Sequence, residues 1–146
     1  RAMTIRRIEG GILGNTTDMG ISTTPFEVGL GSFVDLSKGD FVGHDALVKA
    51  DKRPLLMGLT CVGATPTAHS EVIYGDKVVG SITAGVSSPT LGLGIGYVKF
   101  KLPGEWVDKE MKMRLSDGNE HACNIVELPF FDKDHLIVRG IDRNIP

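Results

Sequence analysis

The rhythm of apolar and polar positions changes near Pro54. Beyond it, short apolar or alternating runs recur, each closed by turn residues. Leu55–Cys61 reads as an apolar strand, and Glu71–Tyr74 and Lys77–Thr83 flank Gly75-Asp76, a tight hairpin turn. Ile95–Phe100 and Met111–Leu115 read as further strands. Ser116-Asp117-Gly118-Asn119 is a second hairpin signal, leading into His121–Leu128. Six short strands with no helix between them predict a mainly β fold: a six-stranded antiparallel barrel or jelly-roll-like unit. His135–Val138 is a candidate additional strand, and Arg139–Pro146 reads as a loose tail.

Before Pro54 the pattern is a short α+β prelude. Thr24-Pro25-Phe26-Glu27 carries a helix start, with threonine as cap, proline at the first helical position, and a glutamate three residues on that reaches back to the cap amide. Gly29 and Gly31 keep that helix short. Phe33–Leu36 reads as a strand piece, ended by Ser37-Lys38-Gly39-Asp40. A second helix, His44–Ala50, follows Gly43; Asp45 in its first turn and Lys49 and Lys52 near its end complement the helix dipole. Pro54 disfavours helical geometry at Arg53, so this linker helix is expected to stop there. The chain thus divides into residues 1–53 and 54–146.

Composition narrows the function classes. The 146 residues are 41% apolar and 23% charged, which is ordinary for a globular chain. Nineteen glycines point to tight turns and short strands. A net charge of −2, with Arg6-Arg7 as the nearest thing to a basic cluster, argues against a nucleic-acid or anionic-membrane partner. No run approaches the ~20 apolar residues of a membrane span. The first residues, Arg1-Ala2-Met3, lack the apolar core of a signal peptide, and without an initiating methionine they suggest that sequence precedes them. Cys61 and Cys123 have no CxxC partner and read as buried, reduced thiols, which fits the cytoplasm or an organelle matrix.

Several motifs invite chemistry. Gly92-Leu93-Gly94-Ile95-Gly96 looks like part of a dinucleotide fingerprint, but the third glycine would fall on Tyr97 and the following residues read as strand rather than helix. A glycine-bent barrel strand is the reading adopted. His44, His69, His121 and His135 show no metal-ligand spacing. Ser87-Ser88-Pro89 and Ser22-Thr23-Thr24 lack a nucleophile-elbow context. Glu9 and Asp18 could act as general acid and base if buried together, although an ion-pair or backbone-capping role suits Arg7-Ile8-Glu9 better.

Read in order, the motifs resemble the last third of the glycine cleavage T-protein (aminomethyltransferase) family. The resemblance rests on Arg7-Ile8-Glu9-Gly10-Gly11, Asp18-Met19, and Thr24-Pro25-Phe26-Glu27-Val28-Gly29-Leu30. Asp40-Phe41-Val42-Gly43-His44-Asp45-Ala46-Leu47, Gly58-Leu59 and Val79–Gly85 follow. Ser88-Pro89, Leu91, Ile95-Gly96-Tyr97-Val98 and Pro129-Phe130 complete the series.

The resemblance implies a three-domain parent with tetrahydrofolate in a central channel. Residues 1–53 would end the folate-binding domain and carry the linker helix; the remainder would form the carboxy-terminal barrel with its tail. The catalytic aspartate and the pterin-gripping glutamate of the family would lie before Arg1, so the resemblance implies no catalytic residue here. Family arginines hold the folate's glutamate tail; where they are expected this chain has Met3 and Leu56, which leaves Arg53 and Arg7 as candidate cofactor-binding residues. Asn15-Thr16 replaces the family's Tyr-Gly, and the Arg-Ile-Glu-Gly-Gly form occurs in folate-dependent demethylase relatives. The implied partners are the missing amino-terminal domains and a small-molecule one-carbon donor, in the cytoplasm or mitochondrial matrix. Two other readings are a non-catalytic folate-binding or assembly protein on the same fold, and a module of a flavin-dependent sarcosine- or dimethylglycine-oxidising enzyme.

Overall fold

A computed structural model describes residues 2–144. The elements are α1 (Ala2–Glu9), α2 (His44–Lys49), β1 (Leu56–Cys61), β2 (Glu71–Tyr74), β3 (Lys77–Ser88), β4 (Leu93–Phe100), β5 (Glu110–Arg114) and β6 (Glu120–Val126). The six strands close into an antiparallel barrel in the order β1-β4-β3-β2-β5-β6, with β6 pairing back onto β1. This is the mainly β barrel expected from the alternation. Both predicted hairpins form, β2–β3 and β5–β6, and each turn uses a glycine at positive φ, Gly75 at 60° and Gly118 at 83°.

β3 runs five residues past its expected end at Thr83, and the reason is a bulge. Ile82 pairs with Val98 and Ala84 with Tyr97, so Thr83 is the extra residue, bending the strand without ending it. Past the bulge β3 pairs with β4 as far as Ser88 and Leu93, which also starts β4 earlier than its apolar run suggested. The glycines of that run have a packing reason. A Cβ on Gly94 would collide with the Ala64 carbonyl, one on Gly85 with the Pro66 backbone, and one on Gly96 would lie 2.6 Å from the Ala84 carbonyl. The fully buried Pro66 occupies the space they vacate. The glycine-rich run is therefore barrel wall.

Two apolar cores result. The barrel interior holds Leu59, Cys61, Val72, Ile82, Val98, Phe100, Met111, Met113, Cys123 and Ile125. An outer core sets Ile8, Val28 and Leu56 against Ile95 and Tyr97, which project from the opposite face of β4. Because successive side chains on a strand point to opposite faces, β4 is the wall shared by both.

The prelude departs from expectation in four places. α1 was not anticipated; it is amphipathic, with Ile5 and Ile8 on one side, but short and without an acidic first turn to mark its start, and it is fixed by packing on β3 and β4. The box at Thr24 does form, Glu27 N to Thr24 Oγ1 at 3.3 Å and Thr24 N to Glu27 Oε2 at 3.2 Å. It caps only turns, because Gly29 takes φ 75° and Leu30 N closes on Pro25 O. Phe33–Leu36 is not a strand: Phe33 ends a single 3-10 turn (Gly31–Phe33), and the Asp35 carboxylate accepts the Ser37 amide at 2.9 Å. α2 forms as expected behind Gly43 but ends at Lys49, where Ala50 turns extended and Lys52 Nζ donates to the carbonyls of Leu47, Val48 and Ala50.

At the other end, His135–Val138 is a set of turns, since the Asp132 carboxylate takes the Leu136 and Ile137 amides that a strand would need. The expected loose tail extends to positions 145–146, outside the described residues.

Candidate functional site

The chemistry-bearing side chains of the prelude converge on the outer face of β4 and the bulged part of β3. α1 directs its last turn there, with Ile8 fully buried. The Tyr97 hydroxyl lies 3.1 Å from the Ile12 carbonyl and 3.3 Å from those of Arg7 and Ile8. Its one proton is thus shared among carbonyls at and just past the end of α1, where Arg7 O and Ile8 O also accept the Ile12 and Gly11 amides. Burial pushes this phenol well above its usual ionisation range; the nearby Arg7 charge opposes the shift and the Asp18 charge adds to it.

Asp18, its side chain wholly inaccessible, holds three donors. Oδ2 accepts from Arg7 Nη1 at 2.8 Å and from Gly14 N at 2.7 Å, and Oδ1 accepts from the Thr83 hydroxyl at 2.6 Å. Thr83 is the residue the bulge inserts, so the irregularity in β3 supplies the donor. Glu9 is fastened separately. Its carboxylate accepts from the Ser88 hydroxyl, which in turn accepts from Leu91 N at 3.0 Å. The Glu9 carbonyl accepts both Phe130 N and Phe131 N at 3.1 Å, tying the segment after β6 to α1.

The two carboxylates singled out from the sequence are therefore both buried, but on different partners. Their bonds lock the prelude to the barrel across 65 and 79 residues of chain. Tyr97, Thr83 and Ser88 carry those locks, and nothing in their local sequence marks them for it.

The two candidate arginines lie in different settings. Arg7 is about three-quarters buried, with Nη1 committed to Asp18 and to the Ile12 carbonyl. Arg53 is two-thirds exposed on the chain leading into β1, and forks onto Asp51 with Nη2 to Oδ2 at 2.6 Å and Nε to Oδ1 at 3.0 Å. Those bonds hold the Asp51 carboxyl at about 2. Neither arginine lines either of two sizeable clefts. One, about 480 Å³, lies where prelude and barrel meet, between Val28, Leu30, Pro54 and Leu56 on one side and Leu128 and Pro129 on the other. The second, about 610 Å³, runs between α1 and the tail and is edged by Arg6, Glu9 and His135.

His44 Nε2 lies 3.1 Å from the Leu36 carbonyl, a loop-fixing contact. Among the described residues no three His, Cys, Asp or Glu side chains gather as a metal site, and no helix is long and apolar enough to cross a membrane.

This geometry defines a class: a closed six-stranded barrel with a short helical prelude latched to its outer wall. Residues 55–132 match the Glycine cleavage T-protein C-terminal barrel domain, and the chain belongs to that family. Relatives matched over most of the chain extend the likeness into the prelude. An aminomethyltransferase of Streptomyces coelicolor is 34% identical over 140 residues, covering 87% of this chain and 36% of that protein. One from Thermosynechococcus vestitus is 40% identical over 98 residues, covering 63% of this chain and 27% of its own length. The crystal structure of the glycine cleavage system aminomethyltransferase T from Bartonella henselae superposes with a TM-score of 0.76 at 23% identity, over 90% of this chain and 38% of that one. That likeness shows the fold. The chain spans about a third of the length of the relatives it matches.

Proposed function

We propose that this chain is the carboxy-terminal part of a protein that moves a one-carbon group, aminomethyl or methyl, from a small donor to tetrahydrofolate. The observation that carries the reading is the extent of the match to named aminomethyltransferases, which runs through prelude and barrel alike. In this reading residues 1–53 end the folate-binding domain and 54–146 form the barrel that backs it. The reacting groups belong to the preceding domains, and this chain supplies positioning. Holding donor and folate in line is itself a large share of the rate in such a transfer.

Tetrahydrofolate fits these residues only at its acidic tail. A carboxylate is best met by a guanidinium free to fork onto it. Arg53 can exchange Asp51 for such a ligand because both side chains are solvent-exposed and their pairing stabilises little. Arg7 has Nη1 committed and only its other nitrogens to offer, so its contribution is chiefly to hold Asp18 and the loop around Gly14 in place. The bound folate would supply the nitrogen that accepts the carbon. Two reduced thiols suit the cytoplasm or mitochondrial matrix.

The test is calorimetric titration with tetrahydrofolate, of this chain alone and of a longer protein carrying the domains that its relatives have before it. The longer protein is expected to bind, to transfer a one-carbon unit, and to lose roughly tenfold in affinity on Arg53→Ala; the chain alone is expected to show no micromolar binding. Micromolar binding by the chain alone would move the site into this region. Binding without transfer by the longer protein would favour a non-catalytic folate protein.

A further inference from the structure

The two cysteines, far apart in sequence, meet at the seam that closes the barrel. β6 pairs with β1 through Gly58↔Val126, Leu59↔Ile125 and Thr60↔Asn124. One further step along this register sets Cys61 opposite Cys123. Both thiols point inward, in the same apolar core and on the same face as Leu59 and Ile125.

The hydrogen bonds settle which kind of pair this is. Leu55 O accepts from Phe100 N at 2.8 Å on the β4 side, and Ile125 exchanges bonds with Asp108 and Lys109 on the β5 side. Backbone groups alternate sides along a strand, so Cys61, like Leu55, turns its amide and carbonyl toward β4, and Cys123, like Ile125, turns its own toward β5. The cysteines therefore face each other as a non-hydrogen-bonded pair, in which Cα atoms approach to about 4.5 Å. That lies at the short end of the span a disulfide bridges.

We infer that Cys61 and Cys123 form a latent cross-strand disulfide that locks the β1–β6 seam when the protein meets a low-molecular-weight disulfide such as oxidised glutathione. The thiolate of one cysteine attacks a sulfur of the glutathione disulfide, breaking that S–S bond and releasing one glutathione thiolate. The second cysteine's thiolate then attacks the protein sulfur of the mixed disulfide, forming the Cys61–Cys123 bond and expelling the second glutathione. The two thiol protons end on the two glutathiones; the cysteines are oxidised by two electrons and glutathione disulfide is reduced.

Both thiols are 2% exposed, so the native barrel keeps them inert. Burial pushes Cys61 up and holds Cys123 at about 12, with the Cys61 charge next in effect on Cys123. Reaction must pass through an opened seam. Cys61, the last residue of β1 and next to the exposed Val62, is the first to be reached.

The experiment incubates the full chain with oxidised glutathione, with and without mild urea, followed by non-reducing intact mass and peptide mapping. The expected product is lighter by two hydrogen atoms, yields a Cys61–Cys123 cross-linked peptide, forms faster in urea, and melts roughly 5–15 °C above the reduced chain. Dithiothreitol should reverse the shift, and Cys61→Ala or Cys123→Ala should gain none. Glutathione adducts without ring closure, cross-linked dimers, or a disulfide that leaves the melting temperature unchanged or lower would each overturn the inference.

Discussion

Along β4, Val98 and Phe100 face a barrel interior of apolar side chains, whereas Ile95 and Tyr97 face an outer layer threaded with buried carboxylates. Inside, strand closure fixes the geometry, and side chains need only fill space. Outside, the prelude has no ladder to join. Apolar burial alone would hold it against the wall without fixing its position, and the directional bonds of Asp18, Glu9 and Tyr97 supply that. The contrast teaches that a strand buried on both faces can belong to a self-closing unit on one side and act as a docking wall on the other.

Variants on the two faces should separate these roles. The largest effect is expected inside: Phe100→Ala removes a 2%-exposed ring that stacks on Trp106 at 4.9 Å between centroids. It should cost about 3–5 kcal/mol of global stability, read from the shift in urea midpoint. Asp18→Ala comes next, at roughly 2–4 kcal/mol, because it strands Arg7 and leaves the Gly14 amide and Thr83 hydroxyl without an acceptor. Its loss should be local to the prelude, whereas that of Phe100→Ala should spread through the barrel.

Counted per group and per pH unit, the smallest effect is alkaline. Tyr97 and Cys123 both ionise at higher pH folded than unfolded. The unfolded chain therefore releases these protons first, and stability is full below the unfolded values and falls above them. Cys123, together with Cys61, whose thiol burial also pushes up, should begin the loss near pH ~8.5 and Tyr97 should join near ~10, at about 1.4 kcal/mol per pH unit for each group in transition. Tyr97→Phe should flatten the slope above pH ~10 and leave the earlier part intact, as equilibrium unfolding across pH 7–11 would show.

The same contrast explains what the sequence made legible. Barrel strands announce themselves locally, through alternation and through turns such as Gly75-Asp76, so the expected and observed elements agree closely from Leu56 to Val126. Where they differ, as at Thr83, a bulge rather than a break was at work. The prelude was harder because its structure is imposed from outside. α1 is amphipathic but only eight residues long, with no acidic first turn to mark its start, and the capping box at Thr24 is genuine yet stopped by Gly29. The latch was half visible: Glu9 and Asp18 stood out as carboxylates, but their partners Ser88 and Thr83 lie too far along the chain for spacing to reveal. Arg53 and Arg7 were both candidates for the folate tail, with a structural role the better reading for Arg7; Arg7 is tucked against Asp18 and Arg53 stands in solvent.

The central claim, that side-chain latches hold the prelude to an independently closed barrel, is tested most directly by hydrogen exchange on Asp18→Ala. The account predicts that protection falls across α1 and the turns from Gly10 to Leu30, while the amides of β1 to β6 exchange as slowly as in the unaltered chain. Simultaneous loss of protection in β3 and β4 would show that the two regions are one cooperative core and would contradict it.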